Sequence, residues 1–222
     1  MKTLLDDPEQ TEMAFEVVEA LAGKQPQRLW KRIQRDPAGA RLVSERPVFD
    51  TSTCNLDDLL ALPAGSFGRT YAEWMKQNGF RPGLMDREPN TTDPDLRYLG
   101  KRLMQVHDFW HVLTGYNRDP IGELGVLAFG WAQAHTYGIG FLIGMVLLRT
   151  TVQTVREGRL WNPVLPFVWH AYRTGRRARF LAPLVLEDLF PLPLSEVRGL
   201  LGIEPNRERL FPEALPPIAV PA

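Results

Sequence analysis

Apolar residues recur along this chain at intervals of three and four, which is the spacing of one face of an α-helix. The clearest stripe is formed by Leu96, Leu99 and Leu103. It follows Asp93 and Pro94, a pair that is typical of a helix start. Comparable patterns predict further helices over residues 11–22, 29–34, 56–62, 66–77, 120–135, 167–181, 184–190 and 195–201.

Segments that alternate apolar and polar residues are few, and no internal repeat is found. The pattern therefore predicts an all-α fold, with a single helical-bundle-like domain over residues 1–222. Ser195 is expected to be the N-cap of the last helix.

A run without Asp, Glu, Lys or Arg extends over residues 124–148. It is long enough to cross a bilayer, but polar residues and several glycines interrupt it. Two buried helices with a break near Tyr137 are therefore predicted, with His135 in the core or lining a pocket. Gly140 and Gly144 are expected to pack these helices closely.

The composition narrows the possible functions. The 222 residues include 26 Lys and Arg against 26 Asp and Glu, so the net charge is zero and no nucleic-acid partner is expected. Cys54 is the single cysteine, which excludes an internal disulfide and a cysteine-based zinc cluster, and it is expected to be incidental. The beginning, MKTLLDDPEQ, resembles neither a secretory signal nor a transit peptide, so a reducing, cytoplasmic compartment is expected.

Basic and aromatic residues are combined in the segment FVWHAYRTGRRARFL, residues 167–181. It contains Arg173, Arg176, Arg177 and Arg179. Two interpretations stay open, namely a solvated basic helix face and a contact with anionic lipid head groups at a membrane surface.

The candidate chemistry lies in the segment HDFWHVLTGYNRDPIGE, residues 107–123. An α-helix advances about 100° per residue. With His107 at zero, Asp108 falls near ~100° and His111 near ~40°, so the three side chains share one face.

A second helix is predicted to follow directly. Gly115 suits a left-handed C-terminal cap, and Asp119 with Pro120 suits an N-cap and a first helical position. Glu123 lies four residues after that N-cap, and His111 lies four residues before Gly115. If the two helices form a hairpin, Glu123 and His111 lie at the same height and can face one another.

Two imidazoles and two carboxylates form a candidate site for zinc, ferrous iron, manganese or cobalt. Histidines four residues apart are also common on surfaces and in satisfied cores, so a structural interpretation stays open. Four protein ligands would complete a structural zinc site, whereas room for a further ligand would suit a catalytic one. The apolar surroundings favour an apolar substrate, although a metal-dependent hydrolase of another kind is a further alternative.

The residues fill the pattern H-D-x-x-H-x-x-x-G-x-x-x-x-x-x-G-E. This pattern resembles the signature of the ubiquinone (coenzyme Q) biosynthesis protein 4 family. The segments LPAGSFGRTYAEWM (62–75) and RGLLGIEP (198–205) are similar to parts of that family too, and the resemblance begins at about Asp36. The segment FGWAQAH (129–135) departs from it. The N-terminus fits a bacterial member or a mature form.

The resemblance implies a divalent metal held by His107, Asp108, His111 and Glu123. Asp108 has an alternative role, in which it orients one of the two histidines from outside the ligand set. The implied activity is removal of the C1 carboxylate of a 4-hydroxy-3-methoxy-5-polyprenylbenzoate, either as a simple decarboxylation or oxidatively with hydroxylation of the same carbon. The implied metal is zinc, or iron or cobalt if the chemistry is oxidative, because zinc is redox-inert.

The implied partners are a polyprenylated aromatic substrate, a membrane surface and other ubiquinone biosynthesis proteins, and a homodimer is compatible with the resemblance. The expected location is cytoplasmic and peripheral on the inner membrane in a bacterium, or the matrix side of the mitochondrial inner membrane in a eukaryote. The alternative function is that of a non-catalytic, lipid-binding scaffold that organises the ubiquinone enzymes at the membrane.

Overall fold

The computed structural model describes residues 8–83 and 87–205, and within these ranges it is helical and contains no strand. The first seven residues of the N-terminal segment MKTLLDDPEQ lie outside the described ranges. The all-α prediction is confirmed. The α-helices are α1 (Pro8–Ala20), α2 (Gln25–Arg35), α3 (Gly39–Glu45), α4 (Leu56–Leu60), α5 (Phe67–Gln77), α6 (Pro94–Gln105), α7 (His107–Thr114), α8 (Pro120–Ala134), α9 (Tyr137–Arg156), α10 (Val164–Arg177) and α11 (Leu194–Leu201), and a 3-10 turn covers Leu186–Leu189.

Side-chain caps start several helices where the sequence places them. Asp93 accepts hydrogen bonds from the backbone N–H groups of the first turn of α6, and Ser66 does the same for α5. Ser195 is not an N-cap, because α11 begins one residue earlier. The Leu194 N–H donates to the carbonyl of Gly65, and this hydrogen bond holds the start of α11 against the loop before α5.

The described helices form two compact units. One unit contains α1 and α8–α10, and the other contains α2–α7, the 3-10 turn and α11. We name them the α8–α10 unit and the α2–α7 unit. The single domain over residues 1–222 stays a prediction.

The α2–α7 unit is built on a cluster of buried aromatic rings. Its members are Phe49, Phe67, Tyr71, Phe109 and Phe190. The Phe109 ring lies 4.8 Å from that of Phe49 and 4.9 Å from that of Tyr71, both edge to face. Such pairs add about 0.5–1.5 kcal/mol each beyond the burial of their area. Because Phe109 belongs to α7, this cluster fixes α7 against α5.

A buried ion pair joins α6 to the 3-10 turn. Arg102 is 2% exposed, and its guanidinium donates to both carboxylate oxygens of Glu187, at 2.5 and 2.7 Å. This two-bond geometry is the strongest form of the Arg–carboxylate contact.

The α8–α10 unit depends on close approaches of helices at glycines. A Cβ at Gly175 of α10 would lie 2.5 Å from the carbonyl oxygen of Phe129 in α8. A Cβ at Gly138 of α9 would lie 2.4 Å from the Cα of Val18 in α1. The side chain of Gln133 donates to the Gly175 carbonyl and closes the α8–α10 contact.

The charge-free run of residues 124–148 forms two helices, as predicted, but only α8 is buried. Helix α8 ends at Ala134 and α9 begins at Tyr137, so the predicted break is confirmed. His135 lies in this break with φ +53°, and it is exposed rather than in the core or a pocket.

Helix α9 buries few of its side chains. By length and composition it is the one helix of the described residues that is apolar enough to cross a membrane, and only 22% of that stretch is buried. Gly140 approaches the Trp131 ring, but no atom lies within 4 Å of a Cβ placed at Gly144. The predicted packing role is therefore wrong for Gly144.

Two glycine substitutions should have opposite effects on stability. Gly175→Ala forces a Cβ against the Phe129 carbonyl, and such overpacking costs about 1–3 kcal/mol of the free energy of unfolding. Gly144→Ala adds a Cβ in open space and should stabilise by about 0.5–1 kcal/mol, because alanine has the higher helix propensity. Urea unfolding followed by circular dichroism measures both, and equal shifts would contradict this packing.

The buried ion pair predicts a second stability difference. Glu187→Leu leaves Arg102 buried without its carboxylate and should lower the free energy of unfolding by about 3–5 kcal/mol. The double variant Arg102→Met/Glu187→Leu removes both charges and should recover most of that loss. If the double variant unfolds at the same urea concentration as Glu187→Leu, the unpaired charge is not the cause of the loss.

Candidate metal centre

Helix α7 presents two imidazoles one turn apart. The Nε2 atoms of His107 and His111 lie 3.3 Å apart, and His111 is 2% exposed while His107 is half-buried. The helix that begins after Asp93 does not run unbroken to these histidines. Helix α6 ends at Gln105, and α7 begins at His107 because the Phe109 N–H bonds to the carbonyl of Val106 in a tighter turn.

Two interactions cap the C-terminal end of α7. Gly115 adopts the left-handed conformation with φ +74°, as predicted, and its N–H donates to the His111 carbonyl. The guanidinium of Arg198 donates to the carbonyls of Val112 and Leu113, at 2.8 Å each. These are carbonyls that a helix end leaves without partners, and a cation there is also favoured by the helix dipole.

The start of α8 is fixed in a similar way. The Asp119 side chain accepts from the N–H groups of Ile121 and Gly122, which confirms the predicted N-cap. A Cβ at Gly122 would lie 1.8 Å from the Asn117 carbonyl oxygen, so only glycine allows this loop to pass so close to the helix. The cap places Glu123 in the first turn of α8.

Three of the four expected ligand residues come together. His107, His111 and Glu123 each offer one ligand atom, and these atoms all lie within 4.8 Å of one another. Asp108 is not a member of this cluster. Two imidazole nitrogens and a carboxylate oxygen fit zinc, iron or cobalt, and three protein ligands leave a coordination position for a further group, as in catalytic zinc sites.

Asp108 lies on α7 next to His107, and its negative charge acts on the Tyr71 hydroxyl of α5. Burial raises the pKa of the Tyr71 hydroxyl well above its ordinary value, and the negative charge of Asp108 raises it further. The Tyr71 ring is fully buried, so its hydroxyl stays protonated at neutral pH. A role for Asp108 as a direct ligand stays a prediction.

Trp74 of α5 is a site residue that the apolar pattern did not identify. It lies on the same side of α5 as Phe67, Tyr71 and Met75, which are fully buried. Trp74 is only half-buried, and its ring stacks on the His111 imidazole with 5.3 Å between centroids and 20° between planes. The apolar pattern does not distinguish a core position from a position at the site, because Trp74 lies on the same side of α5 as the three core residues.

The chain is similar over most of its length to known proteins. A family model, coenzyme Q (ubiquinone) biosynthesis protein Coq4, matches residues 2–207. The ubiquinone biosynthesis protein COQ4, mitochondrial, of Yarrowia lipolytica is 33% identical over 177 residues, which are 80% of this chain and 66% of that protein. The mouse COQ4 homolog, mitochondrial, is 32% identical over 179 residues, which are 78% of this chain and 64% of that protein.

This chain therefore spans slightly less than two thirds of the length of these curated relatives. Among solved structures, a putative ubiquinone biosynthesis protein from Nostoc punctiforme superimposes with a TM-score of 0.69 at 25% identity. The superposition covers 88% of this chain and 89% of the Nostoc chain.

The stack of Trp74 on His111 predicts an effect on metal affinity. Trp74→Leu removes the aromatic plane that orients the imidazole, and loss of such an outer contact weakens metal binding by about 10-fold or more. Trp74→Phe keeps a plane and should bind cobalt almost as the wild type does. Titration of cobalt against a competing chelator measures the dissociation constants, with Trp169→Leu as the control. Equal affinities for Trp74→Leu and Trp169→Leu would show that the stack does not orient His111.

Proposed function

We propose, because the chain belongs to the coenzyme Q (ubiquinone) biosynthesis protein Coq4 family, that it removes the C1 carboxylate of a 4-hydroxy-3-methoxy-5-polyprenylbenzoate in a metal-dependent reaction. Membership of that family confirms the resemblance found in the sequence and gives the chain a role in ubiquinone biosynthesis. The observation that carries the proposed chemistry is the convergence of ligand atoms from His107, His111 and Glu123.

Each residue of the cluster is positioned for a divalent metal in a different way. His111 is buried and is oriented by the Trp74 ring, so its imidazole loses little freedom when it becomes a ligand. Glu123 is positioned by the Asp119 cap. Asp108 either completes the ligand set or orients His107 or His111. When bound, the metal would supply Lewis-acid stabilisation for the negative charge that develops on the head group as the carboxylate leaves.

In the simple reaction the bond between C1 and the carboxylate breaks, carbon dioxide leaves, and a proton takes its place on C1. In the oxidative reaction the carboxylate leaves as carbon dioxide, one atom of dioxygen becomes the hydroxyl on the same carbon, and the other atom is reduced to water with two electrons from an external reductant. Zinc fits the first reaction, whereas iron or cobalt fits the second, because zinc is redox-inert.

The Cys54 thiol offers little alternative to metal chemistry. Burial raises the pKa of Cys54 to about 11, so its thiol is protonated at neutral pH and is a poor nucleophile and a poor metal ligand. This supports the expectation that Cys54 is incidental.

The polyprenyl tail makes the substrate a membrane lipid. We therefore place the protein at a membrane surface, peripheral on the cytoplasmic side of the inner membrane in a bacterium or on the matrix side in a mitochondrion. Other ubiquinone biosynthesis proteins would supply the substrate and take the product, and a homodimer is compatible with this arrangement.

A second candidate function is a non-catalytic scaffold with a structural metal. The observation in its favour is the exposure of apolar side chains along α9, which suits a lipid or a protein partner. The substitution Glu123→Ala separates the two functions, because a scaffold that stays folded keeps its partners whereas an enzyme loses turnover.

Turnover is the measurement that tests the proposed function. The protein is purified without oxygen, loaded separately with zinc, ferrous iron and cobalt, and mixed with a short-chain prenylated hydroxybenzoate. We expect metal-dependent loss of the carboxylate in the product mass, and a gained oxygen atom if dioxygen is required. Glu123→Ala should lose turnover and bind metal at least about 10-fold more weakly, whereas Glu157→Ala, an exposed carboxylate at the end of α9, should behave as the wild type.

No product with any metal, from a folded and fully metallated protein, would favour the scaffold. Full activity of a folded Glu123→Ala variant would show that Glu123 is not a ligand.

A further inference from the structure

Helix α9 has two faces of different character. One face carries the buried residues Ile143, Thr150 and Thr154, and it packs within the α8–α10 unit. The other face carries exposed apolar side chains at successive steps of three or four residues: Tyr137, Phe141, Met145, Leu148, Val152 and Val155. The helix thus presents an apolar stripe to solvent along nearly its whole length.

Two further exposed aromatic side chains lie in the segments that follow α9. Trp161, in the loop that follows, is 64% exposed, and Trp169 on α10 is 58% exposed. The side chain of Asn162 donates to the hydroxyls of Thr150 and Thr151, which holds this loop against the second half of α9. We name the exposed side chains of α9 together with Trp161 and Trp169 the α9 face. Water-soluble monomers rarely expose so large a patch without a partner.

The charged residues from α8 to α10 are mostly positive. Between residues 124 and 177 the chain contains six arginines, a single acidic residue, Glu157, and no lysine. Arg149 and Arg156 are exposed and directly follow the stripe residues Leu148 and Val155. A second copy of this helix would bring a single carboxylate, Glu157, to pair with these arginines, whereas an anionic surface would neutralise each of them.

The aromatic side chains favour a membrane over an acidic helix of another protein as the partner of the α9 face. Tyrosine and tryptophan rings, such as Tyr137, Trp161 and Trp169, are the side chains enriched at the head-group level of bilayers. A helix with arginines beside an apolar face lies in that same region.

We infer that the α9 face lies in the head-group region of a bilayer that contains anionic lipid. Helix α9 lies along the membrane and does not cross it, because part of its surface is packed against α1 and α8 and is closed to lipid. The inference rests on the proposed function in one respect, since a polyprenylated substrate is supplied from a membrane.

Vesicle flotation of the full chain tests this surface. Vesicles of phosphatidylcholine alone are compared with vesicles that contain phosphatidylglycerol, and no substrate is added. We expect wild-type protein to float with the anionic vesicles. Leu148→Glu/Val152→Glu should abolish flotation, and Arg149→Gln/Arg156→Gln should weaken it by about 30-fold, from about 1 kcal/mol per arginine. Leu200→Glu, on the exposed side of α11, is the matched control and should float as the wild type does.

Three results would overturn the inference. They are no flotation of wild-type protein, equal flotation of wild type and Leu148→Glu/Val152→Glu, and a wild-type dimer that this variant converts to monomers without any vesicle binding. Circular dichroism confirms that the variants are folded. Because the vesicles contain no substrate, flotation without turnover would overturn the proposed decarboxylation alone, and turnover on a detergent-dispersed substrate without flotation would overturn the membrane surface alone.

Discussion

The position of α7 is the constraint on which the candidate metal centre depends. An isolated helix of eight residues is not stable in water, because its first turn costs more free energy than its few hydrogen bonds return. The protein holds it from three directions. Phe109 anchors it in the aromatic cluster, Arg198 satisfies its last carbonyls, and Gly115 ends it in a left-handed turn. The Nε2 atoms of His107 and His111 are thereby held 3.3 Å apart.

Each of these restraints comes from a different part of the chain. Arg198 lies in the segment RGLLGIEP, and Trp74, which stacks on His111, lies in LPAGSFGRTYAEWM. Both segments support the family resemblance, but the sequence alone gives no physical reason for the residues they contain. In the structure, the first contributes the guanidinium that caps α7 and the second contributes the aromatic plane beside its buried imidazole. The three most recognisable stretches of the sequence therefore contribute to one short helix.

Local signals in the sequence were sufficient for the helices around the site. The caps at Gly115 and Asp119 follow from backbone preference and short-range hydrogen bonding, and both are confirmed. Long-range contacts were not accessible in the same way. The stack of Trp74 on His111, the ion pair of Arg102 with Glu187 and the cap by Arg198 each join residues far apart in the chain, and no spacing rule indicates them. Helix α3 was missed because polar and charged residues interrupt its sequence and prolines flank it, although Leu42 is fully buried.

The error on α9 has a more general cause. Residues 124–148 contain no charged side chain, and burial was the natural interpretation of that fact. However, a helix inside a protein and a helix against lipid tails can have the same apolar composition, so hydrophobicity does not decide what surrounds a helix. The position of the charges is more informative. Helix α8 carries a single carboxylate, Glu123, and no arginine, whereas Arg149 and Arg156 lie beside the exposed stripe of α9. An arginine at the edge of an apolar stripe is favourable at an anionic surface, and in a packed core it would need a carboxylate such as the one that Glu187 provides for Arg102.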